Sequence, residues 1–348
     1  MVSLVRERGL PTVWVLLLLT PPFVWISWLA TQGYIYATRP PEGWCLASVQ
    51  HAKDTLHTWN LNIVVPRVKA HQSFPVIFFV TGVAGNVPAK GYSDLLCSIA
   101  NKGFVIVAMD NTGVPHYREM GGEVFDALEW ARSGNLVVLM RAHGLVGEPD
   151  LDRASVMGQS AGNHILGETL SAGCSLAKAF IMVDPVDGYD PFGIVPEFLI
   201  QPGKPLNFTI PSLLISTGLD PLPLNSMFPA CAPMELSNDR FYHASRGPIW
   251  NINATEYGHL DCMNDDWSSW LSFIACPSSK HGDKALYRSM IASSVSSFLR
   301  ALFEGHPAAF TLLESPTNFY MDVALKHNLQ GLERSQVRPG CSHQHVFP

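Results

Sequence analysis

At 348 residues the chain is long enough for one large α/β domain or two ordinary ones, with a substantial core. Charged residues make up 15% and apolar residues 47%; against roughly 25% charged in an ordinary soluble protein, this leaves an unusually uncharged surface that a membrane or a greasy ligand tolerates. The formal net charge of -6, without a long Lys/Arg run, excludes nucleic acid as a partner, because phosphate binding relies on clustered cations.

The chain begins with Arg6-Glu7-Arg8 and then carries no charged side chain from Gly9 to Thr38. Val13 to Ala30 is strongly apolar and long enough to cross a bilayer, for which about twenty apolar residues suffice. Pro21-Pro22 interrupts a helix in the middle of it, so residues 1–38 read as an N-terminal hydrophobic targeting or anchor segment outside the fold, with targeting favoured over a permanent span. That segment is the expected source of any membrane association.

After the link Arg39-Pro40-Pro41, Leu61 to Val65 and Pro75 to Val80 have the composition of strands, and the second ends at Thr81-Gly82. Tyr92 to Asn101 has helical spacing, and Phe104 to Asp110 reads as a strand buried on both faces. Gly122 to Ala131 predicts a helix that Leu136 to Met140 continues. Ala154 to Met157, Ala179 to Val183, Ser212 to Ser216 and Pro248 to Ile252 predict further strands, and Asp283 to Phe303 a long helix. Strands alternating with helices, without a repeat, predict a doubly wound, mainly parallel sheet with helices on both faces. Residues 39–315 form one catalytic domain in this reading, and residues 316–348 a C-terminal extension.

Between Ala154 and Leu170 lies Gly158-Gln159-Ser160-Ala161-Gly162, which fits G-x-S-x-G in a strand–turn–helix context. A nucleophile elbow needs that context: the turn is so sharp that only small residues fit around the serine, whose hydroxyl is presented rather than packed. The amide of Ala161, at the start of the helix, is aimed where an oxyanion would form. The loop Thr81-Gly82-Val83-Ala84-Gly85 would supply the second donor, the amide of Val83.

Acyl transfer by a serine also needs a histidine and a carboxylate, in the chain order Ser, acid, His. His259, in Tyr257-Gly258-His259-Leu260-Asp261, directly follows the last strand-like run and is the candidate base. His164, four residues into the elbow helix, reads as a packing or surface residue. Two aspartates compete for the acid. Asp184 follows the run Ala179 to Val183, Asp220 follows Ser212 to Ser216, and both stand at carboxyl ends of strands, where ligands collect in open α/β sheets. Position alone does not choose between them.

The seven cysteines include no C-x-x-C pair and the 13 histidines no H-E-x-x-H, so a zinc site is not expected. An odd cysteine count leaves at least one free thiol if the others bridge within the chain. The sequons at Asn207 and Asn253 matter only in a secretory lumen.

From about Phe74 to Leu313 the sequence resembles the chlorophyllases, α/β-hydrolases that cleave the phytyl ester of chlorophyll. The resemblance is carried by Tyr92-Ser93-Asp94-Leu95-Leu96, Gly103 to Ala108, Asp184-Pro185-Val186-Asp187-Gly188 and Ser216-Thr217-Gly218-Leu219. Pro229-Ala230-Cys231-Ala232-Pro233 and Tyr257 to Asp266 add to it. It implies an α/β-hydrolase fold and a serine carboxylesterase acting on chlorophyll, with Ser160 as nucleophile, His259 as base and Asp184 as acid, since plant members look to have glycine at the position of Asp220. The family elbow reads G-H-S-R-G-G; here Gln159, Ala161 and Asn163 depart from it, and Thr81 replaces the histidine of a His-Gly pair. Those departures leave room for a lipase or esterase acting on another hydrophobic ester. Gly188 to Phe208, rich in Pro, Phe, Ile and Leu, is the candidate cap over an apolar cleft.

Overall fold

The apolar runs become the strands of a single sheet in the computed structural model, which describes residues 46–49, 59–66, 72–111, 120–142, 144–145, 147–188, 197–226, 229–306 and 308–329. The leader 1–38, the link after it, residues 189–196 of the candidate cap and the last part of the C-terminal extension lie outside the described residues. The strands are β1 (Leu46–Val49), β2 (Trp59–Val64), β3 (Ser73–Val80), β4 (Val105–Asn111), β5 (Glu148–Gln159), β6 (Phe180–Val183), β7 (Ser212–Thr217), β8 (Ile249–Ala254) and β9 (Val323–Asn328). They lie in the order β1-β2-β4-β3-β5-β6-β7-β8-β9. From β4 to β8 every neighbouring pair is parallel, whereas β1, β2 and β9 join antiparallel at the two sides.

The helices are α1 (Ser93–Ala100), α2 (Met120–Trp130), α3 (Leu136–Ala142), α4 (Gly162–Ala172), α5 (Asn238–Ala244), α6 (Asp265–Ile274), α7 (Lys284–Phe303) and α8 (Ala308–Thr311). Because side chains alternate along a strand, β3 feeds two cores. Val76, Phe78 and Val80 pack in one core with Val124 and Leu128 of α2 and Ile165 and Leu166 of α4. Phe79, of opposite parity, meets Tyr92 edge-on at the start of α1, with ring centres 5.2 Å apart. Helices therefore cover both faces, which is why the central strands are apolar throughout rather than alternating.

Several expectations need amendment. The helix expected to run through to Met140 breaks at Ala131–Asn135, where Gly134 has φ 95, so α3 is a separate element. Strand β5 starts six residues before Ala154, at Glu148, and pairs with β3 across an irregularity at Pro75/Val76. Strand β9 pairs with β8, so the sheet takes in residues assigned to the C-terminal extension. The helix expected from Asp283 starts at Lys284, and Asp283 caps it by accepting from the amides of Ala285 and Leu286 at 2.9 and 3.1 Å. Cys231 and Cys276 form a disulfide, Cys97 and Cys174 each belong to a different disulfide, and the buried Cys262 is free. No helix among the described residues is long and apolar enough to cross a membrane.

Candidate active site

Strand β5 ends at Gln159 and α4 begins at Gly162, so the chain reverses within Ser160 and Ala161. Ser160 has φ 55, a left-handed conformation that a residue with a side chain adopts only under constraint. Two glycines make the turn possible. A Cβ on Gly158 would stand 2.6 Å from Asn163 Oδ1, and one on Gly162 would stand 2.5 Å from the carbonyl oxygen of Val80. Hydrogen bonds then hold the serine from both sides: its amide donates to Val183 at 3.0 Å and its carbonyl accepts from Val186 at 3.2 Å. Asn163 Nδ2 adds bonds to the carbonyls of Ser160 and Val183 at 3.1 and 3.2 Å.

The loop after β8 brings His259 over this turn. Its Nε2 lies 2.8 Å from Ser160 Oγ and its Nδ1 lies 3.3 Å from Asp220 Oδ1. Both side chains are buried, with His259 4% and Asp220 1% exposed, so the contact between them is shielded from solvent. The Asp220 oxygens also accept from Thr217 Oγ1 at 2.6 Å and from Asn238 Nδ2 at 3.4 Å. The loops after β7 and β8 are tied together by the Leu219 amide, which donates to the Tyr257 carbonyl at 3.0 Å.

The hydrogen bond to His259 expected from Asp184 is thus made by Asp220. The cause lies in the strand ends. Asp220 stands three residues beyond the end of β7, on a turn that extends under the imidazole, whereas Asp184 comes directly after Val183 in a left-handed turn of φ 43. Asp184 is fully buried beside the pair, and one ligand-type atom from each of Asp184, Asp220 and His259 lies within 4.8 Å of the others. Burial, and next to it the charge of Asp220, hold the Asp184 carboxyl well above the usual carboxylate range.

The loop after β3 carries Val83 and Ala84 at φ 50 and 53. Among the described residues nothing accepts a hydrogen bond from the Val83 or Ala161 amides, whereas the Gly82 amide is taken by Tyr92 Oη at 3.2 Å. An amide without a described partner on the residue after the serine, and a second on the loop after β3, are what an oxyanion site requires. Such an arrangement is able to deprotonate a serine hydroxyl, steady the imidazolium that results and receive negative charge on backbone amides.

The sequence profile of the chlorophyllase family matches residues 44–326. The chain belongs to the chlorophyllase family. It is 29% identical over 261 residues to Chlorophyllase-1 of Arabidopsis thaliana, covering 69% of this chain and 76% of the relative. It is 30% identical over 272 residues to "Chlorophyllase-1, chloroplastic" of Citrus unshiu, covering 74% and 77% respectively. Chlorophyllase-2 of Arabidopsis thaliana is 27% identical over 253 residues. Chlorophyllase membership makes the sheet and its helices an α/β-hydrolase fold and its reaction class carboxylic ester hydrolysis.

Two features of this chlorophyllase-family site escaped the reading of the sequence. Gln159 bridges the site: its Oε1 accepts from Tyr92 Oη at 2.9 Å and its Nε2 donates to the His259 carbonyl at 3.1 Å. Its only signal was a departure from the family elbow. The second is a buried ion cluster behind the elbow. His164 Nδ1 meets Asp187 Oδ1 at 2.9 Å and Nε2 meets Glu168 Oε1 at 3.2 Å. Asp187 also pairs with Arg240 Nε at 2.7 Å and accepts from the amides of Leu199 and Ile200 at 2.8 and 3.0 Å. His164 is therefore a packing residue, and the part of the candidate cap that is described is pinned to the fold, with Leu199 lying against Gly167 of α4.

Proposed function

We propose that this chain is a serine carboxylesterase that hydrolyses the phytyl ester of chlorophyll to chlorophyllide and phytol. The observation that carries the reading is the 2.8 Å approach of His259 Nε2 to a serine held at φ 55, in a chain of the chlorophyllase family. In this scheme Ser160 Oγ attacks the ester carbonyl while His259 takes its proton, and Asp220 steadies the imidazolium. The amides of Val83 and Ala161 receive the oxyanion. Collapse returns the proton to the leaving phytol, and a water activated by His259 then frees the chlorophyllide from Ser160. The protein contributes no metal or cofactor to these steps; the magnesium belongs to the substrate.

Incubation with chlorophyll a and with short acyl esters tests the proposal. Release of chlorophyllide supports it, and cleavage of the short esters alone favours the second reading, an esterase for another hydrophobic ester. That second reading is favoured by Gln159, Ala161 and Asn163, where the family elbow has other residues. Ser160→Ala and His259→Ala should each lower turnover by about four to six orders of magnitude with the fold retained. Retention of more than about a tenth of the activity in either variant removes the assignment.

The localisation we infer is the chloroplast or an endomembrane, directed by residues 1–38. A relative from Citrus sinensis, like that from Citrus unshiu, is named chloroplastic. Deleting residues 1–38 should release an active enzyme from membranes; a truncated protein that still sediments with them after a carbonate wash would move the attachment elsewhere.

A further inference from the structure

The reaction scheme leaves one buried carboxyl unused, that of Asp184, and it stands against the carboxyl the scheme does use. Asp220 has the surroundings of an anion, with donors from Thr217, His259 and Asn238 on its two oxygens. Asp184 does not. It has no solvent exposure, and neither of its oxygens receives an N–H or O–H from any described residue. Of the hydroxyls facing the pair, that of Thr217 gives its proton to Asp220 at 2.6 Å, and that of Tyr287 donates to no described residue. A carboxylate in that place would be buried, unpaired and beside a second carboxylate, three conditions that each favour taking up a proton. A proton on Asp184 removes all three and turns it into a donor for which Asp220 is the acceptor at hand.

We propose that Asp184 is a neutral carboxylic acid that shares its proton with Asp220, so that the two carboxyls together carry one negative charge under His259. The proposal rests on the reading of Ser160, His259 and Asp220 as the hydrolytic triad. Asp184 is then a positioning residue: it fixes the orientation of Asp220 and limits the charge the imidazole feels.

The other groups facing the pair do not offset a second charge. Asp261, on the base loop, is matched by Lys284 at 3.2 Å, and Arg288 of α7 is matched by Asp265 at 2.9 Å. Burial keeps the Cys262 thiol and the Tyr287 hydroxyl protonated. Burial and the neighbouring Asp220 charge likewise hold Asp184 well above the usual carboxylate range.

The test compares Asp184→Asn, Asp184→Ala and Asp220→Asn on a short chromogenic ester and adds difference infrared spectroscopy of the native chain. Asparagine tolerates the φ of 43 at this position and keeps a donor for Asp220. Asp184→Asn should therefore lose only about three- to tenfold in kcat, Asp184→Ala about a hundredfold, and Asp220→Asn about three to four orders of magnitude. Because the charge under His259 is the same with Asn as with a protonated Asp, the acid limb of kcat/KM should stay within about 0.3 pH units of the native one in Asp184→Asn. A protonated-carboxyl stretch should appear in the native spectrum at neutral pH and vanish in Asp184→Asn. A near-dead Asp184→Asn beside an active Asp220→Asn, an acid limb displaced downward by more than about half a unit, or a native spectrum without that band overturns the proposal. The infrared measurement needs no turnover, so a chain that cleaves no ester would sink the functional reading while the shared proton is still decided.

Discussion

Gln159 stands one position before the nucleophile, and both ends of its side chain are committed. It links the Tyr92 hydroxyl, and through it the Gly82 amide of the loop after β3, to the carbonyl of His259. All of these groups are buried, so truncating the side chain leaves the Tyr92 hydroxyl without its acceptor and the His259 carbonyl without its amide donor, at about 1–3 kcal/mol each. Gln159→Ala should lower kcat by about ten- to a hundredfold with little change in KM, because the oxyanion loop and the base loop lose their shared fixed point. Steady-state kinetics beside a urea titration checks this; an unchanged kcat in a destabilised variant would make the bridge structural only. Residue by residue, the meeting of Ser160 and His259 was legible because backbone geometry restricts what can flank them: the tight elbow demands small residues at 158 and 162, and His259 sits in a glycine-loosened loop after a strand. The Gln159 bridge and the contact of Asp220 with His259 were not. Their roles depend on which side chain reaches which atom across loops far apart in the chain, and two aspartates at equivalent strand ends look alike until the turns after β6 and β7 are seen.

At the scale of elements, α4 and the described part of the candidate cap, at Leu199 and Ile200, are joined by the His164–Asp187–Arg240 cluster rather than by apolar packing alone. Burial alone would lower the basicity of His164, but its hydrogen bonds to Asp187 and Glu168 outweigh this and raise its pKa to about 9. The Gly188 amide also lies 3.0 Å from Nδ1, but a protonated ring donates there to Asp187 and accepts nothing. A histidine with a raised folded-state pKa adds stability that is complete below its unfolded value of about 6.5 and is lost as the pH rises through the folded value. Denaturant midpoints should therefore fall between about pH 7 and pH 9.5 in the native chain, and His164→Gln should be less stable at pH 7 and flatter over that window. A native midpoint that stays level across it would place the imidazole in its neutral form. Long elements with strong patterns were legible in the sequence, above all β3, β4 and α7. Strand β9 was not: as an edge strand that is mostly exposed it carries little apolar alternation, and only its pairing with β8 defines it. The break before α3 was also hidden, because Gly134 sits between two apolar stretches of the same helical period.

For the molecule as a whole, alternation of strands and helices is enough to specify a doubly wound sheet, whereas the placing of β4 outside β3 and the antiparallel strands at either side arise from long-range pairing that no local pattern encodes. Among the described residues, the side-chain-bearing positions with positive φ are Val83, Ala84, Ser160 and Asp184, and all four stand at carboxyl ends of strands around the candidate site. Each such conformation costs about 1–3 kcal/mol and persists only where its surroundings leave no alternative. The folded sheet and its two cores therefore fix the conformations of Ser160 and of the Val83 loop before any substrate arrives. Preorganisation of this kind leaves the ester little to induce: whichever alcohol and acid it joins, it has only to fit.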